Sequence, residues 1–177
     1  MNLEVRIKEA IRDIPDYPKP GVVFKDIAPM LGSPGLVNDM LAAQVGHWKS
    51  RNIQAVAAIE ARGFIFGALI ANALQVPFIP VRKSGKLPFK TESNDYSLEY
   101  GKATIEIHVD AFENGCNVLI HDDLLATGGT AIATGELVER LEGRIAGFSF
   151  LINLGFLPGK TKIKEQFGIS PFYLAEY

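Results

Sequence analysis

The chain has one cysteine, no long apolar run and almost no net charge, and each scarcity closes off a class of function. With Cys116 alone among 177 residues, no internal disulfide can form, which suits a reducing compartment and sets the expectation of a cytoplasmic protein. Cys116 sits in the turn-like Asn114-Gly115-Cys116-Asn117, where it reads as a reactive thiol or, the favoured reading, as a small packed turn residue. No apolar stretch approaches the ~20 residues of a membrane span, and Met1-Asn2-Leu3-Glu4 opens a charged amphipathic segment in place of a signal peptide. A formal net charge of −2 offers no field for nucleic acid or an anionic membrane, so an anionic ligand must be held by local geometry. Lysine and arginine are scattered apart from a cluster at Arg82, Lys83 and Lys86. Neither G-x-x-x-x-G-K-[ST] nor G-x-G-x-x-G occurs, which excludes a Walker loop and the dinucleotide fingerprint.

What is present is organised around Val118-Leu119-Ile120-His121-Asp122-Asp123-Leu124-Leu125-Ala126-Thr127-Gly128-Gly129-Thr130. A short apolar run reads as a buried strand with two carboxylates at its end, and a small-residue loop then leads into a helical pattern. The first amides of a helix lack internal partners and carry the positive end of its dipole, so residues 127–130 can wrap an anion without a lysine. One such dipole interaction contributes only about 0.3–1 kcal/mol at an exposed site, so several amides and hydroxyls must act together. Asp122 and Asp123 repel phosphate and pair instead with sugar hydroxyls or a hard cation such as Mg2+. Together the two halves fit a ribose 5-phosphate lying across the loop. Taken separately they also read as an acidic strand end and an ordinary capped helix.

Around this stretch the chain alternates strands and helices. At 47% hydrophobic residues it has the composition of a compact globule, and its length suits one domain that buries roughly 70% of its unfolded surface. Apolar residues at helical spacing predict a helix over 3–14, ending before Pro15, and residues 16–21 are irregular because two prolines and a glycine resist helix and strand. Val22-Val23-Phe24-Lys25-Asp26 follows as an extended segment. A helix is expected from the Ser33-Pro34-Gly35 turn to about Ser50, with His47 packed or at the surface. Residues 55–59 read as a buried parallel strand, the loop Glu60-Ala61-Arg62-Gly63 leads to a helix over 64–75, and 76–81 is a further strand. Residues 89–96 are polar without a strong period and fit a mobile flap; 103–109 alternates as a strand. A helix over 130–142, a strand over 144–154, a short basic helix over 157–167 and a final strand over 171–177 complete the expectation.

Asp122-Asp123-Leu124-Leu125-Ala126-Thr127-Gly128-Gly129-Thr130 resembles the phosphoribosyl pyrophosphate (PRPP) motif of the type I phosphoribosyltransferases, in the wording of their adenine-specific members. The resemblance implies an α/β fold with a mainly parallel central sheet flanked by helices, a small N-terminal hood at about residues 15–30 and a mobile flap, in one domain spanning 1–177. It implies the joining of adenine to PRPP, giving AMP and diphosphate, with Mg2+ held mainly through substrate and no dedicated protein cage. By the same resemblance Ala126, Thr127, Gly128, Gly129 and Thr130 hold the 5-phosphate, and Asp122 and Asp123 hold ribose hydroxyls. Arg62, Gly63, Arg82 and Lys86 serve the pyrophosphate, with an unusual cis peptide placed at Ala61-Arg62. Arg82 is expected to reach toward a neighbouring subunit's site, which implies a homodimer. Val23, Phe24 and Lys25 belong to the hood over the base, Val23 by its backbone and Phe24 by its ring; Lys25 departs from the arginine expected there and loses its planar fork. Leu98-Glu99-Tyr100-Gly101 resembles the family's lid, with Glu99 the candidate for proton transfer at the purine and Tyr100 closing over the reacting atoms. His121 departs from the more usual apolar residue, and either packs beneath the loop or tunes Asp122 through charge. Two other readings stand beside this one: a transferase for another base, and a noncatalytic nucleotide-binding regulator on the same fold.

Overall fold

The computed structural model describes residues 2–97 and 102–177. Its main sheet has seven strands: β3 (Ala55–Ile59), β4 (Phe78–Lys83), β5 (Thr91–Ser97), β6 (Lys102–His108), β7 (Asn117–Leu125), β8 (Arg144–Asn153) and β9 (Ala175–Glu176). They lie in the order β5-β6-β4-β3-β7-β8-β9. The pairs from β4 through β3, β7 and β8 to β9 are parallel, and β6 joins β4 and β5 antiparallel. Two-residue periodicity sorts the central strands onto two faces. Ala55, Ala57, Ile59, Val118 and Ile120 pack with Leu137 and Val138 of α5 (Gly129–Arg140) and Ile163 of α6 (Gly159–Phe167). Val56 and Leu119 pack on the other face with α1 (Leu3–Ala10), α2 (Ala28–Leu31), α3 (Pro34–Trp48) and α4 (Gly63–Leu74). A sheet covered on both sides explains why β3 is a continuous apolar run with no polar alternation.

Three expectations need correction. The first helix ends at Ala10, because residues 12–14 are drawn into an antiparallel ribbon, β1 (Arg12–Ile14) against β2 (Phe24–Asp26). Two cross-strand ion pairs fasten it, Arg12 to Asp26 at 2.6 Å and Lys25 to Asp13 at 2.7 Å. The polar stretch expected as a flap has no strand period, yet it forms strand β5, paired residue for residue with β6. Its Asn94 is buried on α5, donating to Ala133 O at 3.2 Å and Glu136 Oε2 at 2.5 Å while accepting from Arg140 Nη2 at 2.8 Å. Lastly, β7 does not end at its carboxylates: pairing with β8 continues past them to Leu125 opposite Asn153. Among the described residues no helix is long and apolar enough to cross a membrane.

Candidate active site

Because β3 and β7 run side by side in the same direction, the loops that follow them open at one carboxyl edge of the sheet, where open α/β sheets bind ligands. The two lines of chain nearly touch at Gly63. A Cβ there would lie 2.8 Å from Asp122 Oδ1, 3.1 Å from Asp122 Cα and 3.2 Å from His121 O, so a side chain would drive the loops apart. Behind it, a Cβ on Gly67 would lie 2.4 Å from Ala58 Cβ, so a second glycine lets α4 press against β3.

Strand geometry sends the neighbouring carboxylates to opposite faces. Asp122 lines a cavity of about 80 Å³ with Leu124, Phe150 and the loop residues Ala126, Thr127, Gly128, Gly129 and Thr130. Gly128, at φ +84°, turns the chain into α5, whose first amides are left to face the cavity. Asp123 lies on the other face, 4% exposed, with Oδ2 3.0 Å from Arg62 Nε. Burial holds the Asp122 carboxyl well above the usual carboxylate range, and the neighbouring charge of Asp123 adds to the shift. Asp123 is also raised by burial, against the pull of the Arg62 guanidinium. Cationic charge or hydroxyl donors arriving at the pair would favour its charged form.

Arg62 ties this pair to the β1–β2 ribbon. Its Nη1 donates to Lys25 O at 3.1 Å and its guanidinium lies 5.0 Å from the Phe24 ring centre. Phe24, Arg62 and Asp123 thus form one connected wall, with Val23 half exposed beside it. The Lys25 side chain has partners of its own: Nζ donates to both Asp13 oxygens at 2.7 and 2.9 Å and sits 4.0 Å from the Tyr177 ring centre. Arg82 is held within its own chain, Nε donating to Glu60 Oε2 at 2.6 Å and Nη1 to Lys86 O at 3.0 Å, while the Lys86 side chain is exposed. The basic loop is braced from below by buried Glu106, which accepts from the Gly85 amide and whose carboxyl is lowered first by a Ser84 hydrogen bond. Glu99 and Tyr100 lie outside the described residues.

The cis peptide falls one bond earlier than expected, at Glu60-Ala61. Arg62 already has helical dihedrals as the cap of α4, and Ala61 O accepts from Phe64 N at 3.2 Å, so Ala61-Arg62 belongs to the helix entry and is trans.

Beneath the carboxylates, His121 is fully buried and packs as part of the core. Ser149 Oγ donates to Gln44 Oε1 at 2.8 Å, so it accepts from His121 Nδ1 at 3.0 Å; Gln44 also accepts from Trp48 Nε1 and donates to Phe150 O. Burial drives the His121 pKa down to about 3, so the ring is neutral and carries no charge toward Asp122. Cys116 likewise fits the packed reading, since burial raises its thiol. The hollow beside it, about 360 Å³ at the opposite end of the sheet, is larger than the cavity at Asp122 but has Glu113 as its one charged lining residue. Size there is unaccompanied by converging chemistry.

Sequence reasoning left unassigned Glu60, which holds Arg82, Gly159, which meets Ala126, and Gln44 and Ser149, which support His121 from below. Glu60 stood in the loop already singled out. Gly159 carried only the Pro-Gly signal of a helix start, and its Cβ would lie 2.3 Å from Ala126 O.

The family model described as a phosphoribosyl transferase domain matches residues 34–162. An adenine phosphoribosyltransferase of Cytophaga hutchinsonii is 50% identical over 161 residues, 91% of this chain and 89% of that protein. Among solved structures, adenine phosphoribosyltransferase from Thermoanaerobacter pseudethanolicus superposes with a TM-score of 0.94 at 46% identity, covering 99% of this chain and all of that one. The Saccharomyces cerevisiae adenine phosphoribosyltransferase, crystallised with an imino-altritol bisphosphate and adenine, superposes with a TM-score of 0.90 at 38% identity, covering 97% and 98%.

Proposed function

The chain belongs to the phosphoribosyl transferase family, and from that premise we propose that it joins adenine to PRPP, forming AMP and diphosphate in purine salvage. The observation that carries this reading is the meeting of the two loops at Gly63 and Asp122, which puts an acidic pair, a guanidinium and an anion cradle at one edge of the sheet. In the reaction the bond from ribose C1 to the diphosphate oxygen breaks, positive charge develops on the sugar, and N9 of adenine bonds to C1 and loses its proton.

Each part of the site has a task in that sequence. Residues 126–130 hold the 5-phosphate, a remote handle that orients C1. Asp122 and Asp123 accept from ribose hydroxyls and, as they ionise, oppose the sugar's developing charge. Arg62, Gly63, Arg82 and Lys86 serve the leaving diphosphate; Arg82 must then exchange Glu60 for the anion, or act on a neighbouring subunit's site in a homodimer. Val23 reads the adenine edge through its backbone beneath Phe24. With the Lys25 side chain engaged by Asp13 and Tyr177, selectivity at that position falls to the main chain, which suits the paired donor and acceptor of adenine. Glu99 takes the N9 proton, and Tyr100 excludes water. Residues from about 15 to 30 act as the hood of one catalytic domain.

Among the described residues no three histidine, cysteine, aspartate or glutamate side chains gather to hold a metal. The two carboxyl groups of Asp122 and Asp123, beside the loop cavity and Arg62, fit an ion carried in on substrate oxygens, since Mg2+ binds through one or two carboxylates plus phosphates and keeps several waters. When bound, Mg2+ neutralises charge on the diphosphate. A single cysteine suits work in the cytoplasm.

Labelled adenine with PRPP and Mg2+, with hypoxanthine, guanine and uracil as competitors, tests the reading. Labelled AMP, little affected by the competitors, is the expected result. Preferential consumption of another base would transfer the assignment to that base, and PRPP binding without turnover would leave a regulator.

A further inference from the structure

We propose that Gly159, the first residue of α6, is a positioning residue for the phosphate cradle: its amide aims the loop, and its missing side chain makes room for it. The inference rests on the reading of residues 126–130 as the 5-phosphate site. As the first helical residue, Gly159 has an N–H with no partner inside α6. That N–H donates to Ala126 O at 3.1 Å, and the preceding carbonyl of the loop, Leu125 O, is taken by Leu154 N at 2.9 Å. Both acceptors of the loop's entry are therefore drawn to the connection between β8 and α6.

The consequence follows from peptide geometry. In a trans peptide the C=O and the next N–H point in opposite directions. Drawing Ala126 O toward α6 therefore turns the Thr127 N–H away from α6, and the cavity lined by 126–130 has no α6 residue in its wall. The hydrogen bond from Gly159 thus helps decide which way the first cradle amide faces.

Space at this contact is decided by two glycines. A Cβ on Gly159 would lie 2.3 Å from Ala126 O, 2.8 Å from Leu125 Cδ1 and 3.0 Å from Gly128 N. A Cβ on Gly128, at φ +84°, would in turn lie 2.9 Å from Gly159 Cα. Two of the atoms met by a residue-159 methyl are backbone atoms of the loop, so relief requires moving the loop by about 1 Å, a displacement that can cost ~10²-fold in rate when it misplaces a bound substrate.

Gly159→Ala is the direct test, with Gly46→Ala as control, because Gly46 lies in α3 with nothing within 4 Å of its Cβ position. Helix propensity alone favours alanine at both sites. Gly159→Ala is expected to raise KM for PRPP and Kd for AMP at least tenfold while KM for adenine moves less than twofold; Gly46→Ala is expected to change none of these. A merely structural role would lower the yield of folded enzyme without separating the two KM values. Amide hydrogen exchange on the unmodified chain supplies an arm that needs no variant: saturating AMP is expected to slow exchange at Gly159 together with Thr127. Equal PRPP and adenine KM changes in Gly159→Ala, or a Gly159 amide indifferent to AMP that does protect Thr127, overturns the proposal alone. Failure of AMP to bind the unmodified chain overturns the phosphate-site reading and the proposal with it.

Discussion

Replacing His121 by asparagine should make the protein less sensitive to acid. The ring has no exposed surface and its pKa is driven to about 3 by burial, while an unfolded chain restores the ordinary value near 6.5. Below pH 6.5 the unfolded state therefore takes up a proton that the native state refuses, and stability falls with pH until the folded pKa is reached. At 1.36 kcal/mol per unit, the loss between pH 7 and pH 5 from this one group is about 2 kcal/mol. Asparagine keeps an N–H donor near the position of Nδ1, so Ser149 retains a partner, but it does not titrate in this range. His121→Asn is expected to be less stable at pH 7, having lost ring packing, with the gap from the unmodified chain closing by about 2 kcal/mol at pH 5. Other groups that titrate on unfolding, such as half-buried His47, whose pKa is also lowered by burial, cancel in the difference. Urea unfolding curves at the two pH values measure it, and a gap that stays constant would refute the reasoning. The activity profile of the variant between pH 5.5 and 8 should keep the shape of the parent's, since a neutral ring sends no charge toward Asp122.

Three further outcomes are expected at the site. Arg62→Gln removes the cation that draws down both carboxyls, so the acidic limb of the kcat profile should move to higher pH by about one unit; an unmoved limb contradicts the pairing of Arg62 with Asp123. Gly63→Ala places a methyl 2.8 Å from Asp122 Oδ1 and should lower kcat/KM about 10²-fold in protein that remains folded by circular dichroism, with unchanged kinetics as the contrary result. Glu99→Ala should lower kcat about 10²-fold or more while AMP affinity changes little, and equal losses in both would remove its role in proton transfer.

Much of the site was legible because its chemistry is local. The strand, the carboxylates and the glycine-bearing bend of residues 118–130 are consecutive, and the loop 60–63 follows a strand too apolar to lie anywhere but the interior. Parallel strands then bring two such loops to one edge. What resisted prediction was set by partners remote in sequence. Residues 91–97 show no strand period because the buried Asn94 is satisfied by α5, so a polar residue faces inward. Residues 12–14 leave their helix for a ribbon whose other strand starts ten residues later. The partners of the Lys25 side chain, Asp13 and the Tyr177 ring, lie 12 and 152 residues away, so nothing local announced them.

By itself, the order of residues determined the α/β alternation, the acidic pair, the anion loop and the small residues that let them approach, because those depend on period, on backbone freedom and on neighbours one or two positions apart. Tertiary structure alone decided that Arg62 bridges Asp123 to the β2 carbonyl, that His121 stays neutral, that Arg82 rests on Glu60 and that Gly159 grips the loop. Each of these is a contact or a desolvation between segments far apart along the chain, and neither has an energy until the sheet and its helices have closed around it.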